Sequence, residues 1–243
     1  MMPSLNSETT SIVVLTGAGI SAESGVPTFR GEDGLWEGHH IEMVASPEGY
    51  QRDPKLVHRF YNLRRAALNT VEPNAGHHAL ARLEREWKGP FLLVTQNVDD
   101  LHERAGSKKL IHMHGELRKA RCTECGSVFP WLEDMGAETL CPECGKVGCV
   151  RPHIVWFGEM PFELDQIGAA LEKVDLFLCI GTSGVVYPAA GFASTAARRT
   201  GCRLIEMNIE ATAISRQFQE RIIGPVAVEL PQLVDQWLAP DKI

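Results

Sequence analysis

The sequence predicts an α/β protein in which a parallel β-sheet is covered by helices on both faces and a metal-binding module is attached. Three observations predict it. Short apolar runs at Ile12-Val13-Val14, Phe91 to Thr95, Asp175 to Ile180 and Arg203 to Asn208 alternate with stretches of helical periodicity, as in strand–helix–strand units. Glycines or amides follow directly on several of these runs, at the carboxyl ends of strands where open α/β sheets bind ligands. Two Cys-x-x-Cys pairs, Cys122/Cys125 and Cys141/Cys144, are separated by fifteen residues, a spacing that brings four thiolates to one tetrahedral zinc.

The bulk properties narrow the function. A chain of 243 residues with 44% hydrophobic content buries one substantial core, as one large domain or a large and a small one. The net charge of -7 argues against nucleic-acid binding through a basic face. No apolar run reaches the roughly 20 residues that span a bilayer, and Met1 to Thr10 lacks the regions of a signal peptide. A cytoplasmic monomer without membrane or nucleic-acid partners is expected. In that reducing compartment the paired cysteines read as metal ligands.

Taken in order, Ile12-Val13-Val14-Leu15-Thr16 reads as the first strand, and Gly17-Ala18-Gly19-Ile20-Ser21-Ala22 as a G-x-G-x-x-A turn into a helix. Glycines there let the backbone turn tightly and approach a pyrophosphate. A hydride-transferring Rossmann enzyme also needs an acidic residue about 20 positions on. Glu23 to Gly31 is instead a Gly- and Pro-containing loop, which would cover the ligand.

Asp53-Pro54 is an N-cap with proline at the first helical position, opening a helix to about Leu68 with Leu56, Val57, Phe60, Leu63 and Ala67 as its buried stripe. Tyr61 and Arg64, three apart, sit side by side at the stripe's edge as a surface cation beside a tyrosine or as an anion-binding pair; Arg65 turns away from Tyr61. Pro73-Asn74 caps a helix from Ala75 to about Trp87, with His77 and His78 solvated or capping. The strand Phe91 to Thr95 ends in Gln96-Asn97-Val98-Asp99-Asp100. An Asx cap explains one aspartate of that cluster but not Gln96 and Asn97 as well.

Leu110-Ile111 leads to His112-Met113-His114-Gly115, and a neutral imidazole suits proton abstraction near pH 7. Within the zinc module, Cys144 with Cys149 is the alternative to Cys141 with Cys144, and Cys-Pro-x-Cys-Gly is the better knuckle. Four thiolates leave no open coordination position, so the zinc is structural. Arg151 to Glu159 reads as an apolar extended segment, Leu164 to Val174 as a helix and Asp175 to Ile180 as a strand ending in Gly181-Thr182-Ser183-Gly184. A helix from about Pro188 to Thr200 precedes the strand Arg203 to Asn208, with Glu210 just beyond it. A helix from about Leu230 to Leu238 closes the chain, and Cys179 and Cys202 are small buried residues.

Assembled, the motifs resemble those of the sirtuins, NAD-dependent protein lysine deacylases, from about Ile12 to Leu230. The resemblance rests on Gly17-Ala18-Gly19-Ile20-Ser21, Pro27-Thr28-Phe29-Arg30-Gly31, Thr95-Gln96-Asn97-Val98-Asp99, His114-Gly115, the four cysteines, Val155-Trp156-Phe157-Gly158-Glu159 and Gly181-Thr182-Ser183, all in family order. It implies a Rossmann-like doubly wound domain (1–37, 72–115 and 151–243) and a small helical and zinc-binding domain built from two insertions (38–71 and 116–150). NAD and an acyl-lysine protein would meet between them.

For the cofactor the resemblance implies Gly17, Ala18, Gly19, Ser21, Phe29, Arg30, Trp36, Gln96, Asn97, Asp99, Gly181, Thr182, Ser183, Asn208, Glu210 and Ala227. Backbone donors of Ala18, Gly19 and Ser183 would face the phosphates, and Phe29 and Arg30 would lie on the covering loop. His114 would be the general base, with Asn97 and Asp99 holding the ribose and the nicotinamide amide. Val155, Trp156, Phe157 and Gly158 would pair with the peptide backbone as an added strand. Tyr61 and Arg64 match the Tyr-x-x-Arg pair of the branch that takes succinyl- and malonyl-lysine, with Ala45 as the small residue that widens the acyl pocket. Deacetylation is implied beside desuccinylation, with nicotinamide and O-acyl-ADP-ribose as products. Thr28 departs from the aspartate of many relatives and leaves that position's role open.

Overall fold

The computed structural model describes residues 8–28 and 38–239, together with the backbone of 35–36. The elements run, in chain order, β1 (Ile12–Thr16), α1 (Gly19–Ala22), β2 (Leu35–Trp36), β3 (His39–His40), α2 (Ile41–Val44), α3 (Pro47–Arg52), α4 (Pro54–Ala67), α5 (Ala75–Glu86), β4 (Phe91–Thr95), α6 (Leu101–Ala105) and β5 (Leu110–His112). They continue as β6 (Gly115–Cys122), β7 (Val128–Pro130), β8 (Val150–Ile154), α7 (Leu164–Leu171), β9 (Leu176–Ile180), α8 (Phe192–Ala196), β10 (Arg203–Asn208), β11 (Glu220–Ile223) and α9 (Val226–Leu238).

Six parallel strands form the main sheet in the order β11-β10-β9-β1-β4-β5. Strand alternation sends Ile12 and Val14 to one face, where α5 and α9 cover them with Leu80, Leu83, Leu230 and Val234. Val13 and Leu15 face the other way, against Ile167 and Leu171 of α7 and Phe192 and Ala196 of α8. This is the doubly wound, Rossmann-like arrangement. A three-stranded antiparallel sheet, β7-β6-β8, carries the cysteine module. Helices α2 to α4 pack on it through Val44, Val57, Phe60, Tyr61, Leu117, Ile154 and Trp156. No helix among the described residues is long and apolar enough to cross a membrane.

Several sequence expectations shift. Helix α4 starts as foreseen, with Asp53 Oδ1 accepting from Leu56 N–H at 2.9 Å. Its buried stripe, however, runs through Val57, Phe60, Tyr61 and Arg65, while Leu63 is 62% exposed and Ala67 is exposed too. Arg65 is buried because its guanidinium donates to the carbonyls of Leu117 (2.7 Å) and Glu133 and to Asn62 Oδ1 (2.9 Å). His77 is a capping residue, but a buried rather than a solvated one. The helix expected from Pro188 to Thr200 is a 3₁₀ turn, Ala189–Gly191, followed by the short α8. There Thr195 Oγ1 donates back to Gly191 O at 3.2 Å, and the chain beyond Ala197 closes as i to i−3 turns. Strand β11 was not foreseen, and α9 begins four residues before Leu230, directly after Pro225.

Candidate functional site

The site is built where β1, β4, β9 and β10 end. The turns after β1 and β9 interlock: Gly17 N–H donates to Ile180 O at 2.9 Å and Gly19 N–H to Gly181 O at 2.8 Å. A Cβ on Gly19 would lie 2.6 Å from Gly181 Cα, and one on Gly181, whose φ is +60°, would lie 2.6 Å from Ile20 N. These glycines are thus required by each other, a role the sequence motif did not reveal. The Gly19 N–H is committed inside the protein, and α1 has only four residues, too short for a strong helix dipole. Of the three backbone donors expected to face phosphates, Gly19 is therefore already spent on Gly181.

Behind the turn lies a buried polar network. Ser21 Oγ donates to Asp99 Oδ2 (3.0 Å) and accepts from Asn97 Nδ2 (3.0 Å), and Asp99 Oδ1 accepts from Leu101 N–H (3.1 Å). Burial pushes the Asp99 carboxyl up, against the pull of Leu101 N–H, the Ser21 hydroxyl and His112. His77 joins from α5. Its Nδ1 accepts from Asn74 N–H at 3.3 Å, so its proton sits on Nε2, 3.4 Å from Ser21 Oγ. Burial, and then His78, push this imidazole down to about 4, keeping it neutral. The sequence offered His77 only as a solvated or capping residue; the cap, spaced Asn74-x-x-His77, helps tie α5 to the site.

Gln96 Nε2 donates to Thr182 Oγ1 at 2.9 Å and Asn208 Nδ2 to Thr182 O at 3.0 Å, so residues from the ends of β4, β9 and β10 converge on Thr182. Ser183 and Glu210 are exposed beside them. Ala227 stands at the start of α9, its N–H donating to Glu23 Oε1 at 2.9 Å. Phe29 and Arg30 lie outside the described residues, as does the side chain of Trp36.

His114 Nδ1 lies 3.2 Å from Gln96 O. A carbonyl only accepts, so Nδ1 carries the proton and Nε2 keeps its lone pair. Burial lowers the His114 imidazole below the ordinary histidine value, with the Gln96 carbonyl opposing. The arrangement can accept a proton at Nε2 near neutral pH.

On α4, Tyr61 is fully buried and its phenolic oxygen accepts from Trp156 Nε1 at 3.0 Å. Burial raises the phenol, with Trp156 and then Arg64 opposing. The Arg64 guanidinium stands 5.6 Å from the Phe60 ring centre, and Ala45 is buried in the same cluster. Tyr61, Arg64, Ala45 and Trp156 are therefore brought together. The segment after β8 is less extended than expected, since Phe157 and Gly158 form a turn. Val155 N–H donates to His114 O (2.9 Å), Trp156 N–H to Glu159 Oε2 (2.8 Å) and Phe157 N–H to Ala45 O (2.9 Å). Glu159 also pairs with the buried Arg151, whose guanidinium sits 3.2 Å from the Trp156 ring centre. Sequence reasoning gave Arg151 and Glu159 no role, since neither follows a periodic pattern that links them to Trp156.

The sulfurs of Cys122, Cys125, Cys141 and Cys144 all lie within 4.8 Å of one another, with Cys122–Cys144 and Cys125–Cys141 each at 3.8 Å. A tetrahedron with Zn–S bonds of about 2.3 Å has S···S edges of about 3.8 Å, so the four thiols fit a structural zinc. Cys149 Sγ is 3.4 Å from Cys122 Sγ and falls outside this set, which answers the alternative left by the sequence.

Comparison with known proteins agrees with this geometry. An NAD-dependent protein deacylase of Bdellovibrio bacteriovorus is 56% identical over 229 residues, covering 93% of this chain and 96% of that protein. A solved Sir2 homologue–NAD complex superposes with a TM-score of 0.85 at 40% identity, covering 96% and 92% of the two chains. Sir2Af2 bound to a myristoylated histone peptide superposes with a TM-score of 0.73 at 33% identity, over 95% and 92%. The Sir2 family model matches residues 17–188. With its interlocked glycine turns, its His114 and its four-cysteine cluster, the chain belongs to the Sir2 family.

Proposed function

We propose that the chain is an NAD-dependent protein lysine deacylase that removes acetyl and succinyl or malonyl groups, leaving nicotinamide and O-acyl-ADP-ribose. The observation that carries this is the His114 imidazole, neutral and with Nε2 unprotonated, beside the Ser21–Asn97–Asp99 network at the carboxyl end of the sheet. Bound NAD would supply the ribose that takes the acyl group and the nicotinamide that leaves. Asn97 and Asp99 orient the ribose and amide, Ala18 and Ser183 offer backbone donors to the phosphates, and Gln96, Thr182 and Asn208 fix the loop ends around them. His114 accepts the ribose hydroxyl proton at Nε2.

The acyl chain enters among Ala45, Phe60, Tyr61 and Trp156. A dicarboxylic acyl group brings a carboxylate into this apolar cluster, where an uncompensated charge is costly. Arg64 supplies the opposite charge, and Tyr61, its phenol raised, stays protonated. With the N–H groups of Val155, Trp156 and Phe157 already donating, the peptide backbone pairs with the carbonyls of this segment and with Gly158 N–H. The main sheet with its helices (1–37, 72–115, 151–243) binds NAD, and 38–71 with 116–150 forms the small domain. The protein acts as a cytoplasmic monomer on acyl-lysine proteins.

His114→Ala tests the reading. It is expected to bind NAD yet lose lysine deacylation by about 10²- to 10⁴-fold, the usual worth of a positioned base. Turnover near wild type would sink the assignment.

A further inference from the structure

His112 and His114 are two residues apart, at the end of β5 and just beyond it, and their rings are used differently. His112 sits opposite Thr95 in the β4–β5 register. Its Nδ1 lies 3.0 Å from Asn97 O, as His114 Nδ1 lies 3.2 Å from Gln96 O, so two consecutive carbonyls after β4 are each held by an imidazole. The other nitrogen distinguishes them. His112 Nε2 is 2.6 Å from Glu103 Oε1 on α6. A carbonyl and a carboxylate both only accept, so His112 serves both partners fully when it carries two protons.

We propose that His112, paired with Glu103, is a positioning residue that fixes the Asn97 carbonyl and thereby holds the Asn97–Asp99 segment in its NAD-binding shape. This rests on the deacylase reading, in which Asn97 and Asp99 face the ribose and the nicotinamide amide. Asn97 is tied at three points: its N–H donates to Thr95 Oγ1 (3.0 Å), its Nδ2 to Ser21 Oγ (3.0 Å), and its carbonyl accepts from His112. His112 is the only one of these three partners that titrates near neutral pH.

The surroundings favour the charged ring. Glu103 on α6 and Glu116 on β6 face it, Lys119 Nζ sits on Glu116 at 2.7 Å, His102 is kept neutral by burial, and Asp99 lies in the next turn. Burial works against the imidazolium, but the hydrogen bond and charge of Glu103 outweigh it, and His112 titrates above the ordinary histidine value. With Lys119 already on Glu116, the cluster is balanced by the protein's own cations. When His112 loses a proton, the remaining one is drawn to the Glu103 carboxylate. The bare Nδ1 then faces the Asn97 carbonyl, lone pair against lone pair.

The test is NAD binding by titration calorimetry between pH 6 and 9 for wild type, His112→Ala and His112→Asn, with thermal melting as a control for folding. An asparagine amide can place its Nδ2 near the position of the imidazole Nδ1 and does not titrate. His112→Ala is expected to weaken NAD affinity by about tenfold at pH 6.5, the scale of one lost hydrogen bond. His112→Asn should restore most of that loss. Wild-type affinity should fall as pH rises past the ordinary histidine range, while His112→Asn stays flat. If His112→Ala fails to melt as a folded protein, the pH comparison between wild type and His112→Asn decides. Wild type and His112→Ala binding NAD alike, or His112→Asn following the wild-type pH profile, would overturn the positioning role alone. Wild type that binds no NAD at any pH would overturn the deacylase reading and this proposal with it.

Discussion

The indole N–H of Trp156 donates to the phenolic oxygen of Tyr61 at 3.0 Å, joining the segment after β8 to helix α4 inside one buried cluster. Trp156 is itself clamped: Arg151 stacks on its ring, and Glu159 receives both the Arg151 guanidinium and the Trp156 backbone N–H. A residue that is a candidate for acyl recognition is therefore held by a residue of the candidate peptide-binding segment.

Tyr61→Phe removes the acceptor and leaves the Trp156 N–H buried without this partner. The expected cost is about 1–3 kcal/mol of unfolding free energy, the penalty for an unmade buried hydrogen bond. Urea unfolding measures it, and an unchanged midpoint and slope would mean that the bond contributes nothing.

The pH dependence of turnover follows from His114. Burial favours the neutral ring, so its pKa lies below the ordinary histidine value, and the base is lost only when acid protonates Nε2. Turnover at saturating substrate should therefore rise with pH through a midpoint below about 6.5 and then level off. An acid limb centred well above that value would assign the base to another group.

Much of this was legible in the sequence, for identifiable reasons. Strands β1, β4 and β9 are buried on both faces of a parallel sheet and so read as continuous apolar runs. Strand β11 is an edge strand of four residues with alternating burial, Glu220-Arg221-Ile222-Ile223, and gives no such run. Helical spacing located α4 but misjudged its face, because Leu63 looks like core and Arg65 does not. The carbonyls of Leu117 and Glu133, far away in sequence, join Asn62 Oδ1 in making the arginine a buried residue. In the site, Gln96, Asn97, Asp99, His114 and the cysteines could be seen as clusters of chemistry-bearing side chains. The mutual need of Gly19 and Gly181 could not, since it exists only once β1 and β9 lie side by side.

The cysteine module predicts a response to metal removal. Cys122, Cys125, Cys141 and Cys144 anchor β6 and the loop before β8, and the cluster around them contains few large apolar side chains besides Phe129 and Met135. Chelation should release one zinc per chain, unfold the β6–β8 module and abolish activity indirectly, while the parallel sheet keeps its circular dichroism. Full activity in metal-free protein would refute a structural role.

The most direct test compares NAD-dependent turnover of one peptide carrying acetyl-lysine or succinyl-lysine by wild type and Arg64→Met. If Arg64 is the counter-charge for the acyl carboxylate, succinyl turnover falls by at least about tenfold, on the scale of a lost charge-assisted contact, while acetyl turnover persists. Equal turnover of both peptides by Arg64→Met would contradict the assignment of Tyr61 and Arg64, and a wild type that processes neither would contradict the deacylase itself.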